Sequence, residues 1–307
     1  MTQQYLRAAS LLISIDNEDN LLDVSALHFQ FQTQAVLLQT PGHVQLRVWN
    51  LSGETARKIT GQGNMLYLSA GYEGNQDLIF QGNIVQARIG RNGVDSYLDI
   101  TAVDGDELHN YGFVNQSIKS GTDIIGRVGA ITTAAKIPQG AVDLPAGTSK
   151  LHRGRAYFGL ARDHLTGLCS TVGANWNIKD GKLEIISANA YKDGDVPILT
   201  AATGMIGVPE QMEEGISIRV LLNPAIHQNE LVQLDNASIQ QYQYAVDINA
   251  AAKAGLQPKL SADGKYKVLY VTHTGDTRGD DWYTDIVCYA GFVSNKSQLQ
   301  YAPQTIY

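Results

Sequence analysis

Several things are scarce in this chain. Only two of its 307 residues are cysteine. Cys169 and Cys288 lie far apart with no metal-ligand spacing around either, so neither a disulfide framework nor a zinc site is indicated, and both read as small core residues. Charged residues make up only 17%, yet no apolar run reaches the length of about 18 that a membrane-spanning helix needs. A basic excess is also missing: 23 Lys and Arg stand against 30 Asp and Glu, for a net charge of −7. A surface that clamps nucleic acid needs clustered cations, so nucleic acid is expected to pass this protein without being held. The first residues, MTQQYLRAASLLISIDNEDN, carry one Arg and a brief apolar run before acidic residues. That pattern is wrong for a secretory signal, and synthesis in a cytoplasm is the expectation.

Catalytic signatures are missing as well. The seven histidines, at 28, 43, 109, 152, 164, 227 and 273, form no HExxH pair. No serine sits in a GxSxG elbow, and Cys169 has no local nucleophile signature. GQGN, residues 61–64, lacks the preceding strand and following helix of a phosphate cradle. Glu210, Glu213 and Glu214 crowd into one run that reads as a solvated approach to a strand beginning at Ile216, whereas a glycosidase draws two carboxyls from different elements. The densest charge cluster, GDTRGDD at 275–281, lacks the ligand spacing and bidentate Glu of an EF-hand, and it lies between two strands. It reads as a solvated hairpin tip. No catalytic, cofactor-binding or metal residue is therefore expected, and no cofactor.

What is present is alternation. In ALHFQFQTQA, Leu27, Phe29, Phe31 and Thr33 point one way and His28, Gln30, Gln32 and Gln34 the other. One dry face and one wet face, repeated between regular turn signals, predict antiparallel strands in a barrel or sandwich. The architecture also recurs. Val44, Leu46 and Val48 alternate with Gln45, Arg47 and Trp49, followed by NMLYLSAGY, NIVQARI, a GRNG turn and SYLDITAVDG. Near the other end, Ile216, Ile218 and Val220 alternate with Ser217, Arg219 and Leu221, followed by NELVQLDNAS, YKVLYVTHT, the 275–281 turn and WYTDIVCYAG. Both read as strand, strand, hairpin. Between them the pattern changes: Ile125, Val128 and Ile131 predict a helix over about 122–135, a surface loop follows, and a second helix is predicted over about 156–172, ending at Gly173. Lys179, Asp180 and Gly181 mark a hairpin directly after it. The expected fold is mainly β with a small α/β insert: a first barrel module over 1–108, the insert over 109–195 and a second, related barrel module over 196–307. The polar stretch 236–265 reads as a partly irregular excursion from the second.

The run GVPEQMEEGISIRVLLNPAIHQNELVQLDNASI followed by YKVLYVTHTGDTRGDDWYTDIVCYAG resembles the C-terminal part of contractile-tail bacteriophage baseplate hub proteins, through an IxIRxLLNP strand, an LVQLDN strand and a THxGDTRG turn before Trp-Tyr. GNMLYLSAGYEG with LIFQGNIV is similar to the first barrel of such hubs. The resemblance covers most of the chain. It implies a homotrimer whose six tube-like barrels ring a DNA channel and adapt a hexameric tail tube to a trimeric spike. The implied partners are tail-tube or tube-initiator proteins, the central spike and a tape-measure protein, and the implied location is the baseplate of the virion tail. Two heterologous surfaces repeated around a ring suit such a design. Two other readings stand beside it: a tail-tip or adhesin-like binding module contacting a receptor through tyrosines and Trp282, and an enzyme assembled from Asp106, Glu107 and His109 with the 275–281 turn.

Overall fold

The computed structural model describes residues 6–15, 17–36, 40–60, 64–144, 150–188, 190–192, 194–212, 215–240, 260–261 and 263–289. Its first part runs β1 (Arg7–Ile15), β2 (Asn17–Asp23), β3 (Phe29–Val36), β4 (His43–Trp49), α1 (Gly53–Ile59), β5 (Met65–Tyr72), β6 (Asn75–Asn92) and β7 (Asp95–Val103). The predicted alternation in β3 holds: Phe29, Phe31 and Thr33 are buried while Gln32 is exposed. The middle follows a π-helical turn and contains β8 (Phe113–Ile118), α2 (Ile124–Ala134), β9 (Gln139–Asp143), β10 (Arg155–Leu160), α3 (Ala161–Val172), β11 (Ala174–Lys179) and β12 (Lys182–Ser187). The last part is β13 (Ile198–Leu199), β14 (Met205–Gln211), β15 (Ile216–Leu221), β16 (Leu231–Leu234), β17 (Lys265–Asp276) and β18 (Trp282–Tyr289). The protein is mainly β, with antiparallel ladders throughout the large sheet except between β13 and β16.

Thirteen strands form that sheet, in the order β14-β15-β18-β17-β3-β4-β7-β6-β5-β1-β2, with β16 beside β17 and β13 beside β16. First and last parts are thus joined edge to edge, β17 against β3 from Tyr270 opposite Val36 to Asp276 opposite Gln30. Three apolar clusters lie beneath: one over the first part, one over the middle and one over the last. Trp282, from the last part, belongs to the first cluster.

The two halves of the sheet repeat each other in order and in register. β3-β4-β7-β6-β5 corresponds to β14-β15-β18-β17-β16, with the same connectivity. Arg47 stands opposite Asp99 in the first half and Arg219 opposite Asp285 in the second. Each long hairpin also carries its bulge at the same place: Val85 is the extra residue opposite the Ala102 and Thr101 pair, and Leu269 the extra one opposite Cys288 and Val287. A bulge fixes twist and register locally, so its recurrence aligns the two hairpins residue by residue.

The middle part departs from expectation at two points. The first helix forms where expected, beginning at Ile124, with Asp123 capping it through the Gly126 N–H. The second helix begins only at Ala161, because residues 155–160 are drawn into β10 by pairing with β8, and Gly159 at φ 129° adopts a backbone a helix does not allow. Part of the presumed surface loop after α2 is β9, which pairs in parallel with β12. The hairpin at 179–181 forms as expected, Asp180 and Gly181 taking φ of 52° and 71°, both left-handed as a tight two-residue turn requires. Most of the excursion after β16 lies outside the described residues, as do Glu213 and Glu214 and residues 61–63.

Candidate functional site

Because strand side chains alternate, burying Phe29, Phe31, Val44, Leu46 and Val48 on one side of the sheet forces their neighbours onto the other. That other side is polar and continuous across β3, β4, β6 and β7 of the first half and the end of β17 in the second. Gln30, Gln32, Gln45, Arg47, Gln86, Arg88, Asp99, Thr101, Thr274 and Asp276 line one shallow depression on it. Glutamine, threonine and paired charges dominate.

Two arginines of the sheet are neutralised in place by the same device. Arg47 grips Asp99 with two parallel hydrogen bonds, Nε to Oδ1 at 2.6 Å and Nη2 to Oδ2 at 2.9 Å. Its guanidinium also lies 4.3 Å from the centre of the Tyr97 ring. Arg219 does the same with Asp285, at 2.7 and 3.0 Å, over the Tyr283 ring at 4.1 Å. Forked Arg–carboxylate pairs combine charge with fixed geometry, and stacking on an aromatic face holds the fork flat. Hydrogen bonding to the carboxylate raises the pKa of each arginine further. The sequence signal was available in the shared Arg-Val of β4 and β15 and the shared Tyr-x-Asp of β7 and β18.

The charged turn after β17 is placed differently from its sequence reading. Arg278, Asp280 and Asp281 are exposed as a solvated tip would be, but the start of the turn docks on the first half. Asp276 accepts from His28 Nε2 at 2.8 Å and Gln30 Nε2 at 2.7 Å, and from the N–H groups of Arg278 and Gly279. Burial pushes the Asp276 pKa up, but these hydrogen bonds outweigh it and hold the carboxyl below its ordinary value. Thr277 Oγ1 accepts from the Phe29 N–H, and the Arg7 guanidinium donates to the carbonyls of Gly279 and Asp280. Trp282 follows, 3% exposed, with its ring edge-on to Phe31 and its Nε1 donating to the Gly71 carbonyl at 3.1 Å. A receptor contact through Trp282 is therefore not available, since the ring is inside the first cluster.

The middle part is tied in by Asp104, which sequence reading did not single out. Its two carboxylate oxygens accept from the N–H groups of Asp180 and Gly181 at 2.7 and 2.9 Å, clasping the β11–β12 turn. Burial raises its pKa to about 7 against the pull of those two bonds. Around it, Gln34, Lys179, His227 and His273 line a small, partly open cavity where all three parts meet. Burial lowers the pKa of His273 to about 3 and that of His227 to about 4. His273 is held neutral by burial, with Nδ1 2.8 Å from Thr284 Oγ1.

The remaining candidates do not converge. His109 neighbours Asn110, Arg162 and Trp176, whereas the 275–281 turn neighbours Arg7, His28, Phe29 and Gln30. Cys169 and Cys288 are free and buried, and burial pushes the Cys169 thiol up to about 12, far from a reactive thiolate. Among the described residues no group of three His, Cys, Asp or Glu is placed to hold a metal ion, and no helix is long and apolar enough to cross a membrane.

No family model and no curated protein matches this sequence. Solved structures do. The 43 kDa tail protein of prophage MuSo2 from Shewanella oneidensis superimposes with a TM-score of 0.61 at 10% identity, over 92% of this chain and 97% of that one. A tail protein from Neisseria meningitidis MC58 does so at 0.57 and 9%, over 92% and 96%. The Escherichia coli c3393 protein, a type VI secretion component described as structurally similar to the T4 tail proteins gp27 and gp5, gives 0.58 at 10%, over 95% of this chain and 79% of that one. The chain has the fold of these tail proteins, the architecture toward which its hub-like strands pointed.

Proposed function

We propose that this chain is a structural, non-catalytic subunit of a contractile phage tail, acting as a baseplate hub. In this reading residues 1–108 and 196–307 are two related tube-like β modules and residues 109–195 an insert. Three chains set six modules around a channel, join a hexameric tail tube to a trimeric spike, and contact tube, spike and tape-measure proteins in the virion. The polar face of the sheet lines the channel. Its paired arginines and carboxamides offer DNA no uncompensated cluster of cations, so DNA crosses without being retained by counterion release.

The observation that carries the reading is the register repeat, Arg47 with Asp99 and Arg219 with Asp285, set in a fold that spans nearly the whole of two tail proteins, one of them from a prophage. Two like modules per chain let three subunits meet a sixfold partner, a match that one module per chain gives only with six. The secretion-system likeness is less complete, the chain covering 79% of the c3393 protein and 59% of a PdpA–VgrG complex chain from Francisella, which favours the phage-tail role. Negative-stain microscopy of the purified chain tests it: rings with threefold or pseudo-sixfold symmetry and a central hole are expected, and a monomer persisting at micromolar concentration would count decisively against it.

A further inference from the structure

An arginine inside a protein normally meets a carboxylate, and Arg127 meets none. It is the one buried arginine among the described residues, 7% exposed, and it shares the buried side of α2 with Ile124, Val128 and Ile131. Its Nε is closed to solvent and has no hydrogen-bond partner, and no ion pair among the described residues includes it. Arg47 and Arg219, both far more exposed, are each paired. An arginine that snorkels buries its stem and keeps its nitrogens in water. At Arg127 the Nε has neither water nor a partner, so part of the cation is desolvated and unmatched, a costly state that a bound anion relieves.

The surroundings supply further cations and almost no carboxylate. In a chain of net charge −7, residues 108–122 and 150–162 hold Lys119, Lys150, Arg153, Arg155 and Arg162 and neither Asp nor Glu. Backbone pairing gathers three of these at one corner. Arg155 stands opposite Ile118 where β10 meets β8, and beyond the strands the Gly121 N–H donates to the Leu151 carbonyl at 2.7 Å and the Leu151 N–H to the Thr122 carbonyl at 2.9 Å. Lys119, Lys150 and Arg153 therefore sit around the same bend, all exposed. From that bend α2 departs at Ile124. Long side chains on a helix lean toward its N-terminus, so Arg127, one turn in, is directed back at the bend. Asp123, the carboxylate nearest in sequence, is committed to the helix, its Oδ1 capping the Gly126 N–H at 2.8 Å.

We propose that this corner of the middle part, with Arg127 beneath and Lys119, Lys150 and Arg153 around it, binds a phosphate group. A guanidinium fork beside several flexible cations suits a multiply charged oxyanion, whereas a single carboxylate would leave most of those cations unmatched. The N–H groups that open α2 favour the same ligand. Bound there, phosphate joins the start of α2 to the adjoining ends of β8 and β10. The site lies away from the polar face of the sheet and does not depend on the ring.

Thermal unfolding of the full chain in sodium phosphate, against sodium chloride of equal ionic strength, tests the site. The midpoint is expected to rise with phosphate and to saturate. Phosphate also stabilises folded proteins generally, by exclusion from their surface, and Arg127→Met measures that background. This variant should melt higher than wild type in chloride, because an unmatched buried charge is gone, and should lose the saturable rise. Lys119→Ser combined with Arg153→Ser, both at exposed positions, should keep the chloride midpoint and weaken the apparent phosphate affinity about tenfold or more, the scale of losing hydrogen bonds to a charged group. The double variant keeps the test decisive even if Arg127→Met does not fold. A rise of equal size in wild type and the double variant, or none beyond that in chloride, would overturn the proposal. A short oligothymidylate separates the sources of the phosphate: its displacing the bound ion assigns the site to a nucleic-acid backbone, and failure to displace it assigns the free ion or a small ester.

Discussion

Trp282 is the most informative single residue to perturb, because it belongs to the second half of the sheet by sequence and to the first half's core by position. Trp282→Ala removes a buried ring, its edge-on contact with Phe31 at 5.7 Å between centroids, and the hydrogen bond to the Gly71 carbonyl. Loss of a buried Trp costs about 3–5 kcal/mol, and little relief is expected since β18 is held on both sides. Trp282→Phe keeps most of the apolar area and leaves Gly71 O without its donor, for about 1–2 kcal/mol. Urea unfolding followed by fluorescence and far-UV circular dichroism should show the Ala variant losing cooperativity, the two halves separating into distinct transitions. Trp176→Ala makes the control. Trp176 is equally buried but lies in the middle cluster, donating to Thr166 Oγ1 at 3.1 Å, so its loss should destabilise without parting the halves of the sheet. If Trp282→Ala costs under about 1 kcal/mol, a surface-like value, or unfolds in one unchanged transition, the ring does not couple the halves and the reasoning fails.

Other expectations follow from the same contacts. Gly275→Ala should destabilise by about 1–3 kcal/mol by overpacking, because a Cβ there would fall 2.4 Å from the Phe31 ring and 2.9 Å from that of Trp282; a neutral result in thermal melts would show that this junction has slack. His273 and His227 are held neutral with pKa values of about 3 and 4, so stability is full above the unfolded value near 6.5 and falls as pH drops through the interval to the folded values. At pH 5 each contributes a loss of about 2 kcal/mol at 1.4 kcal/mol per pH unit. Asp104, raised to about 7, acts with the opposite sign, favouring the fold as pH falls from 7 toward 4, so the comparison is between wild type and His273→Asn. A flattened acid limb in the variant is expected, and an unchanged one refutes the assignment. On the polar face, Asp99→Asn with Asp285→Asn frees two arginines per chain while changing stability by under about 1 kcal/mol per exposed pair. Fluorescence anisotropy should then show salt-dependent binding to duplex DNA that the wild type lacks, and equal binding by both would refute the role proposed for the paired charges.

How far the sequence alone reached depended on the range of the contacts involved. Period-two alternation exposed β3, β4 and β15 correctly, because one face of each meets the core and the other water. The left-handed pair Asp180 and Gly181 announced its hairpin locally. Residues 156–160 were misread as helix since their apolar spacing suits both states; pairing with β8, about forty positions earlier, decides the matter. The 275–281 turn looked solvated because charge normally means water, but its carboxylate and backbone groups find partners at His28, Gln30 and Arg7, across nearly the whole chain. The Arg–Asp–Tyr pairs were visible as letters and became a site only when the register set them opposite each other. The acidic excess of the chain extends to the polar face, where Asp99, Asp276 and Asp281 stand with Arg47 and Arg88 among glutamines and threonines.

The central claim is that this chain builds a ring whose polar sheet face looks into the channel, and electron cryomicroscopy of the assembled protein tests it most directly. A closed ring is predicted, with Gln45, Arg47, Asp99, Arg219 and Asp285 on the inner wall and two register-matched modules per subunit. A ring with those residues on its outer surface, or a particle without a central opening, would contradict the account.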